Sequence, residues 1–192
     1  MIRTDRLLCI DLEATCWEGQ APDGQFSEII DVGICIVDTQ KMSLMNTGTS
    51  LIVRPRHSTV SPFCTQLTGY QQSDVEKGMS LQEACNILRK EYLSRDYAWC
   101  SYGDYDRKMF LRECTNKNVP YPFSDTHINA KAAVNFLIPQ RTTSIGLQDT
   151  VKALGVHWEG RAHKGSIDAL HLARVMIELA RRSRVYEEEE GC

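Results

Sequence analysis

Two hydrophobic patterns divide the chain, an alternating one in its first third and a helical one afterwards. Residues 7–15 begin with four consecutive apolar side chains, and residues 28–37 are rich in β-branched side chains. Apolar and polar positions alternate again from residue 45 to residue 53, before Pro55. Such segments are typical of β-strands. Because their connections are short, they predict an antiparallel meander of three strands.

Beyond residue 79 the apolar positions recur at helical spacing. Ser80-Leu81-Gln82-Glu83 has the capping-box pattern that begins a helix. Residues 97–102 read as a buried strand, and residues 126–129 are a weaker strand candidate. Further helices are predicted at about 107–116, 130–137, 147–154 and 167–184. The order predicts an α/β fold whose sheet has about five strands, antiparallel at first and parallel afterwards, with helices on both faces.

Length and composition are those of one globular domain. The chain has 192 residues and a formal net charge of −3, which gives no global electrostatic case for nucleic-acid binding. We predict a single domain over residues 1–185, followed by a solvated acidic tail at 186–192. The eight cysteines are scattered without C-x-x-C spacing, which favours a reduced protein. No apolar run reaches the ~20 residues of a membrane span, and no leader pattern is present. We therefore expect a cytoplasmic protein.

The first strand carries two acids near its end, Asp11 and Glu13. Residues two apart in a strand point to the same face, so the two carboxylates would lie side by side. Like charges at that distance are unfavourable unless a cation or a shared proton offsets them. Mg²⁺ or Mn²⁺ would suit such an oxygen-rich pair. Two acids that simply point into water at a strand end explain these residues equally well.

Two later acids and one histidine are placed where they could complete a site. Asp106 follows the strand at 97–102, although an N-cap role is the simpler interpretation, and Asp104 competes for the same position. Asp168 lies in the first turn of the last helix, five residues after His163 in a glycine-containing loop. Strand ends and helix starts are where open α/β folds gather their ligands. Asp31, by contrast, reads as a strand-edge or turn residue.

Several short motifs carry a resemblance to a known family. They are Asp11-Leu12-Glu13-Ala14-Thr15-Cys16 with Trp17-Glu18-Gly19, Glu28-Ile29-Ile30, Leu67-Thr68-Gly69, Gly103-Asp104-Tyr105-Asp106, and Gly160-Arg161-Ala162-His163 with Asp168. Their order and spacing resemble the DEDDh 3′→5′ exonucleases, most closely the Eri-type exoribonucleases, over about residues 7–174. The resemblance implies an RNase H-like fold with sheet order 3-2-1-4-5. It also implies a two-metal hydrolysis that releases nucleoside 5′-monophosphates from a 3′ end.

The resemblance also implies a role for each residue of the site. Asp11 would bridge two divalent ions, Mg²⁺ or Mn²⁺, with Glu13 and Asp168 as further ligands. Asp106, rather than Asp104, matches the remaining acid. His163 matches the general base, because the sister subtype has a tyrosine where this chain has Lys164.

The implied substrate is a single-stranded 3′ end, RNA more than DNA. Leu67 and Thr68 resemble residues that contact the terminal nucleotide, although Leu67-Thr68-Gly69 alone would read as a helix end. Glu13, Ala14 and Thr15 belong to the same implied contact set. Trp17 could stack on a base, as aromatic residues do in single-strand binders, or simply pack at the rim or in the core. The alternatives are an exonuclease acting on DNA or short oligonucleotides, and a catalytically idle protein that binds RNA ends.

Overall fold

The computed structural model describes residues 1–137 and 145–190. Its strands and helices alternate along the chain after an initial meander. The strands are β1 Arg3–Ala14, β2 Ile29–Asp38, β3 Ser43–Leu44, β4 Thr49–Ile52, β5 Tyr97–Ser101 and β6 His127–Asn129. The helices are α1 Pro62–Thr68, α2 Gln72–Glu76, α3 Leu81–Lys90, α4 Tyr105–Lys117, α5 Ala130–Leu137, α6 Leu147–Ala153 and α7 Gly165–Glu190. No helix in these two ranges is both long enough and apolar enough to cross a membrane.

β1 is the central strand, and its two faces are buried against different helices. Leu8, Ile10 and Leu12 belong to one hydrophobic core, which also contains residues of α3 and α4. Leu7 and Cys9 belong to a second core with residues of α7. A strand covered on both sides has little need of polar alternation, which explains the continuous apolar run. The odd-numbered face continues beyond the second core into Asp11 and Glu13, since successive side chains alternate between faces.

The sheet is mixed, as predicted. β1 pairs antiparallel with β2 and parallel with β5, and β6 extends the sheet parallel to β5. Both β3 and β4 pair antiparallel with β2. When β3 and β4 are counted together as a third strand, the order follows the predicted 3-2-1-4-5 pattern. The expected α/β class with an RNase H-like sheet is therefore confirmed.

The predicted strand at 45–53 is wrong in detail, because it is divided into two, and the residues that the structure describes form a sheet of six strands rather than about five. Between the two pieces, the Met45 amide still donates to the Ile36 carbonyl, but at the next residue the side chain of Asn46 becomes the partner of β2. Its Oδ1 accepts from the Ile36 amide at 2.8 Å, and its Nδ2 lies 3.5 Å from the Ile34 carbonyl oxygen. Gly48 then turns the chain in the left-handed region, with φ 91°. A side chain can occupy ladder partners in this way and interrupt strand pairing.

The helices follow the predicted pattern with three differences. The capping box is present, since Ser80 Oγ accepts from the Glu83 amide and Glu83 Oε2 accepts from the Ser80 amide. α1 and α2 were not predicted, and the Leu67-Thr68-Gly69 motif is the end of α1, closed by Gly69 with φ 80°. α7 continues to Glu190 rather than ending near residue 184. Glutamate is a good helix former, and residues 166–190 contain no glycine or proline that would end the helix earlier. The division at residue 185 stays a prediction, and residues 191–192 lie outside the described ranges.

A buried ion group joins α4 to the beginning of β2. Lys117 Nζ lies 2.7 Å from Glu28 Oε1 and 2.7 Å from Glu113 Oε2. The Glu28 carboxylate also accepts hydrogen bonds from the backbone amides of residues 56–58. Burial by itself would raise the pKa of Glu28, but Lys117 and these amides outweigh it and lower the pKa to about 2. The group therefore holds α4 and the loop after β4 against the end of the sheet that carries Asp11 and Glu13.

Replacing Lys117 by methionine should lower the free energy of unfolding by about 3–5 kcal/mol, because two buried carboxylates would lose their cation. Urea unfolding followed by tryptophan fluorescence measures this loss. Lys41→Met is the matched control, because Lys41 pairs with Asp38 at 3.8 Å and its side chain is 79% exposed. The control should lose less than about 1 kcal/mol. Equal losses in the two variants would contradict a structural role for the buried group.

Candidate active site

Asp11 and Glu13 lie on the same face of β1, as their spacing predicts. In the antiparallel pairing, Asp11 is opposite Gly33 and Glu13 is opposite Asp31. Glu13 is only 7% exposed. Residues opposite one another in neighbouring strands have side chains on the same face of the sheet. The end of this hairpin therefore gathers carboxylates on the face that α7 covers.

Asp106 reaches the same place from α4. The N-cap of that helix is Asp104, whose side chain makes no capping hydrogen bond, so Asp106 is not the cap. Asp106 is 5% exposed, and its Oδ1 accepts from the Leu12 backbone amide at 3.0 Å. Leu12 stands between Asp11 and Glu13 in β1. This hydrogen bond consequently fixes the Asp106 carboxylate beside both strand acids.

Asp168 and His163 approach from the start of α7. Asp168 Oδ2 accepts from the His163 backbone amide at 3.1 Å, which ties the loop to the first turn of the helix. His163 itself is exposed and adopts a left-handed backbone with φ 59°. One possible ligand atom from each of Glu13, His163 and Asp168 lies within 4.8 Å of the other two. Residues separated by 150 positions are thus brought into one small group.

The electrostatics of the cluster follow from its burial. Burial is the largest cause that raises the pKa of Asp11 well above its ordinary value, and the neighbouring carboxylates Asp106, Asp168 and Glu13 raise it further. Burial and the same kind of repulsion raise the pKa of Glu13 to about 8. Burial also raises the pKa values of Asp106 and Asp168 to about 6. Without a cation, the cluster therefore holds protons close to neutral pH.

The donor set fits divalent cations. Asp11 Oδ2 and Asp168 Oδ1 are buried and have no hydrogen-bond partner among the described residues. Buried carboxylate oxygens are normally satisfied, so unpartnered ones need an explanation. Carboxylate oxygens are the ligands that Mg²⁺ prefers, and Mn²⁺ accepts the same set. Such ions could be held at the end of the β1–β2 hairpin by Asp11, Glu13, Asp106 and Asp168.

The residues expected to contact the substrate differ in how accessible they are. Trp17 and Leu67 are half-buried and keep part of their side chains on the surface. Ala14, Thr15 and Thr68 are buried. Ala14 is 8% exposed, so only a small part of it could meet a substrate, whereas Thr15 and Thr68 have no accessible surface.

The two threonine hydroxyls already have partners inside the protein. Thr15 Oγ1 donates to the Phe26 carbonyl and accepts from the Glu28 amide. Thr68 Oγ1 donates to the Cys64 carbonyl and accepts from the Tyr70 amide. Both hydroxyls therefore shape the walls of the site by holding the backbone around it.

The interpretation of Asp31 as a strand-edge or turn residue is wrong. Asp31 is completely buried in β2, opposite Glu13, and β2 has partners on both sides. It contributes to the high pKa of Glu13 and of Asp168. The only signal for it in the sequence is an acid inside an apolar strand. Its place beside the site depends on the β1–β2 register, which local patterns do not specify.

Comparison with known proteins agrees with this arrangement. A family model described as "Exonuclease" (RNase_T) matches residues 8–176, most of the chain and every residue of the cluster. The chain belongs to this exonuclease family. The family and the fold class that the motifs implied are therefore confirmed.

Two relatives match this exonuclease domain over nearly its whole length. The rat protein named 3'-5' exoribonuclease 1 is 26% identical over 198 residues, which cover 98% of this chain and 54% of that protein. The fruit-fly protein named 3'-5' exonuclease Snipper is 27% identical, and the match covers 94% of this chain and 71% of that protein. The chain spans about half the length of the mammalian relative.

Solved structures share the fold closely. The nuclease domain of 3'hExo, described as a DEDDh family member bound to rAMP, superposes with a TM-score of 0.81 at 25% identity. That match covers 93% of this chain and 92% of that domain. Cell-death related nuclease 4 has a TM-score of 0.79 at 17% identity, which shows the fold alone.

The raised pKa values predict how stability depends on pH. An acid whose pKa is higher in the folded chain than in the unfolded chain binds more protons when folded, so stability falls as the pH rises towards the folded value. For Asp106 and Asp168 that value is about 6, and for Glu13 it is about 8. The ordinary values of these acids are near ~4, so the melting temperature of EDTA-treated protein should fall from about pH 4 to about pH 8, and of these three acids only Glu13 should contribute above about pH 6.

Added Mn²⁺ should raise the melting temperature, and more at the higher pH, because the cation competes with protons for the carboxylates. Glu13→Gln is the control and should flatten the pH dependence of the metal-free protein. A melting temperature that stays constant or increases with pH in EDTA would contradict the electrostatic description of the cluster.

Proposed function

We propose that this chain is a metal-dependent 3′→5′ exoribonuclease of the DEDDh type, which removes nucleoside 5′-monophosphates one at a time from a 3′ end. The observation that carries the proposal is the convergence of the half-buried Asp11 and the buried Glu13, Asp106 and Asp168 with the imidazole of His163. The catalytic set is Asp11, Glu13, Asp106, His163 and Asp168.

The four acids would hold two divalent ions, Mg²⁺ or Mn²⁺. When bound, such a pair acidifies the attacking water and stabilises the leaving 3′-oxygen. The unpartnered oxygens of Asp11 and Asp168 and the raised pKa values support a site that takes up cations as it gives up protons. Glu13 and Asp168 come from different elements, β1 and α7, and a ligand atom of each lies within 4.8 Å of the other.

His163 would act as the general base. An imidazole can accept a proton near neutral pH, and this one is exposed at the rim, with possible ligand atoms of Glu13 and Asp168 close by. His163 takes a proton from the water whose oxygen forms the new bond to phosphorus. The bond from phosphorus to the 3′-oxygen breaks, and that oxygen acquires a proton. The products are a nucleoside 5′-monophosphate and a strand shortened by one nucleotide that ends in a 3′-hydroxyl.

The substrate would be the 3′ end of single-stranded RNA. The accessible parts of Leu67 and Trp17 offer apolar surface to a terminal base. Glu13 and Ala14 would line the rest of the nucleotide site, and Thr15 and Thr68 would support it from behind by holding the neighbouring backbone. The names of the similar proteins support RNA, since the rat relative is called an exoribonuclease and the 3'hExo domain is described as bound to rAMP.

The protein would work in the cytoplasm. The seven described cysteines are free thiols, even where Cys9 and Cys100 have Sγ atoms 3.4 Å apart. Disulfides are rare in that reducing compartment.

Activity on a 5′-labelled single-stranded RNA tests the catalytic set. With Mg²⁺ or Mn²⁺ the protein should produce a ladder shortened from the 3′ end, and EDTA should stop the reaction. His163→Ala should lower kcat by about 10²–10⁴-fold, the range for loss of a general base. Asp11→Asn should reduce it at least as much, and both variants should keep the wild-type circular dichroism spectrum. His157→Ala is the control, because His157 is exposed and lies outside the cluster.

Full activity of the Asp11 or the His163 variant would refute the mechanism. RNA binding without any cleavage, with Mn²⁺ present, would instead support an idle protein that binds RNA ends.

Matched RNA and DNA oligonucleotides test the substrate class. We expect a higher kcat/KM for RNA, and the difference should follow the 2′-hydroxyl of the terminal nucleotides, which is the group that distinguishes RNA from DNA. An RNA strand with two 2′-deoxy residues at its 3′ end should therefore behave like DNA for the first cleavages. Equal or faster removal of deoxynucleotides would favour the DNA alternative.

A further inference from the structure

Asp31 is a further buried acid beside the site, and one of its two oxygens, Oδ2, makes hydrogen bonds inside the protein, whereas Oδ1 has no partner among the described residues. Its Oδ2 accepts from the Tyr70 hydroxyl at 2.7 Å, the Ser50 hydroxyl at 3.0 Å and the Gly165 backbone amide at 3.0 Å. These donors come from three separate segments of the chain. Asp31 therefore joins β2 to β4, to Tyr70 just beyond the end of α1, and to the first turn of α7.

The contact with Gly165 is an approach of backbone to backbone. A Cβ added to Gly165 would lie 2.8 Å from the Gly33 nitrogen and 2.9 Å from Asp31 Oδ2. A Cβ added to Gly33 would lie 1.8 Å from the Gly165 carbonyl oxygen. The start of α7 thus rests directly on β2 at the residue opposite Asp11. A shift of this helix start would move Asp168, three residues further on.

The last two loop residues before α7, His163 and Lys164, and the first residue of the helix, Gly165, are each held by a different group. The His163 amide donates to Asp168, and the Gly165 amide donates to Asp31. Between them, Lys164 Nζ lies 5.3 Å from the centre of the Tyr70 ring, a cation–π distance. Tyr70 consequently holds the loop twice, once through its ring and once through its bond to Asp31.

Tyr70 also connects this loop to α1. It follows Gly69, the cap of α1, and its amide donates to Thr68 Oγ1 at 3.2 Å. A second link lies close by, because Arg161 Nη2 donates to the Gln66 carbonyl at 2.7 Å. The end of α1, which carries Leu67 and Thr68, and the loop that carries His163 are therefore bound to one another.

We propose that Asp31 and Tyr70 are positioning residues, which hold His163 over the carboxylate cluster and join its loop to the segment that meets the terminal nucleotide. The predicted effect on catalysis rests on the proposed exonuclease function. The predicted effect on the loop structure rests only on the hydrogen bonds described above. The positioning role is carried by Asp31 Oδ2 and the Tyr70 hydroxyl.

Tyr70→Phe is the mildest test, because it removes one hydroxyl and keeps the ring. Misplacing a catalytic group by about 1 Å can reduce turnover by up to about 10²-fold, so we expect kcat to fall by about 10-fold while KM changes by less than about 2-fold. Asp31→Asn should lower kcat by a similar or larger factor. Tyr102→Phe is the matched control, since the Tyr102 hydroxyl bonds to Thr150 and to the Ile145 carbonyl near α6, away from this loop. It should leave kcat unchanged.

A double-mutant cycle with His163→Ala separates positioning from a general loss of structure. If Tyr70 acts through His163, adding Tyr70→Phe to His163→Ala should lower the residual kcat by less than about 2-fold. A loss of about 10-fold in both backgrounds would overturn the proposal, as would a Tyr70→Phe variant with unchanged kcat.

Amide hydrogen exchange provides a readout that does not depend on activity. In the peptide that covers residues 161–168, Tyr70→Phe should accelerate exchange of the metal-free protein at least about 3-fold, and Tyr102→Phe should not. If the wild-type protein cleaves no RNA or DNA, the proposed function fails, and this measurement still decides the positioning role. Unchanged exchange in Tyr70→Phe would overturn that role whatever the activity.

Discussion

Mutual repulsion among buried carboxylates is the constraint on which the rest of this structure depends. Asp11, Glu13, Asp31, Asp106 and Asp168 approach one another at one end of the sheet, where little water can screen them. Burial and their mutual interaction raise the pKa of Asp11 and Glu13. Such a cluster opposes its own assembly until protons or cations neutralise it, so the stability that holds it together must come from elsewhere in the fold.

That stability comes from the sheet and from the elements that fix each acid to a backbone. β1 is covered on both faces, by a core with α3 and α4 on one side and by a core with α7 on the other. Asp106 accepts a hydrogen bond from the Leu12 amide. Asp168 belongs to α7, whose first residue packs against Gly33. The rigid hairpin and the two helices thus bring the acids to fixed places, while only His163 stays exposed on a loop. This division suits a site whose carboxylates hold ions and whose base meets the substrate.

Much of the site could be read from local patterns because each pattern has a local cause. Asp11 and Glu13 share a face since a strand alternates at every residue, whatever lies around it. The capping box before α3 and the glycine that closes α1 likewise depend on neighbouring residues alone. Asp104 and Asp106 show the boundary of that reasoning. Both could have capped α4, and only the hydrogen bond from Leu12 in another element distinguishes the buried acid from the cap.

The sequence by itself determined the α/β order, the two acids of β1 and, through its motifs, the exonuclease family. It left open which residues lie opposite the two acids of β1. Strand register and helix position arise from contacts between distant segments, and no local pattern encodes that packing. Only the tertiary structure placed Asp31 inside the sheet beside Glu13, interrupted the third strand at Asn46 and buried the Thr68 hydroxyl. The same long-range packing, in which Gly165 meets Gly33 without room for a side chain, decided where α7 begins and so where Asp168 and His163 stand.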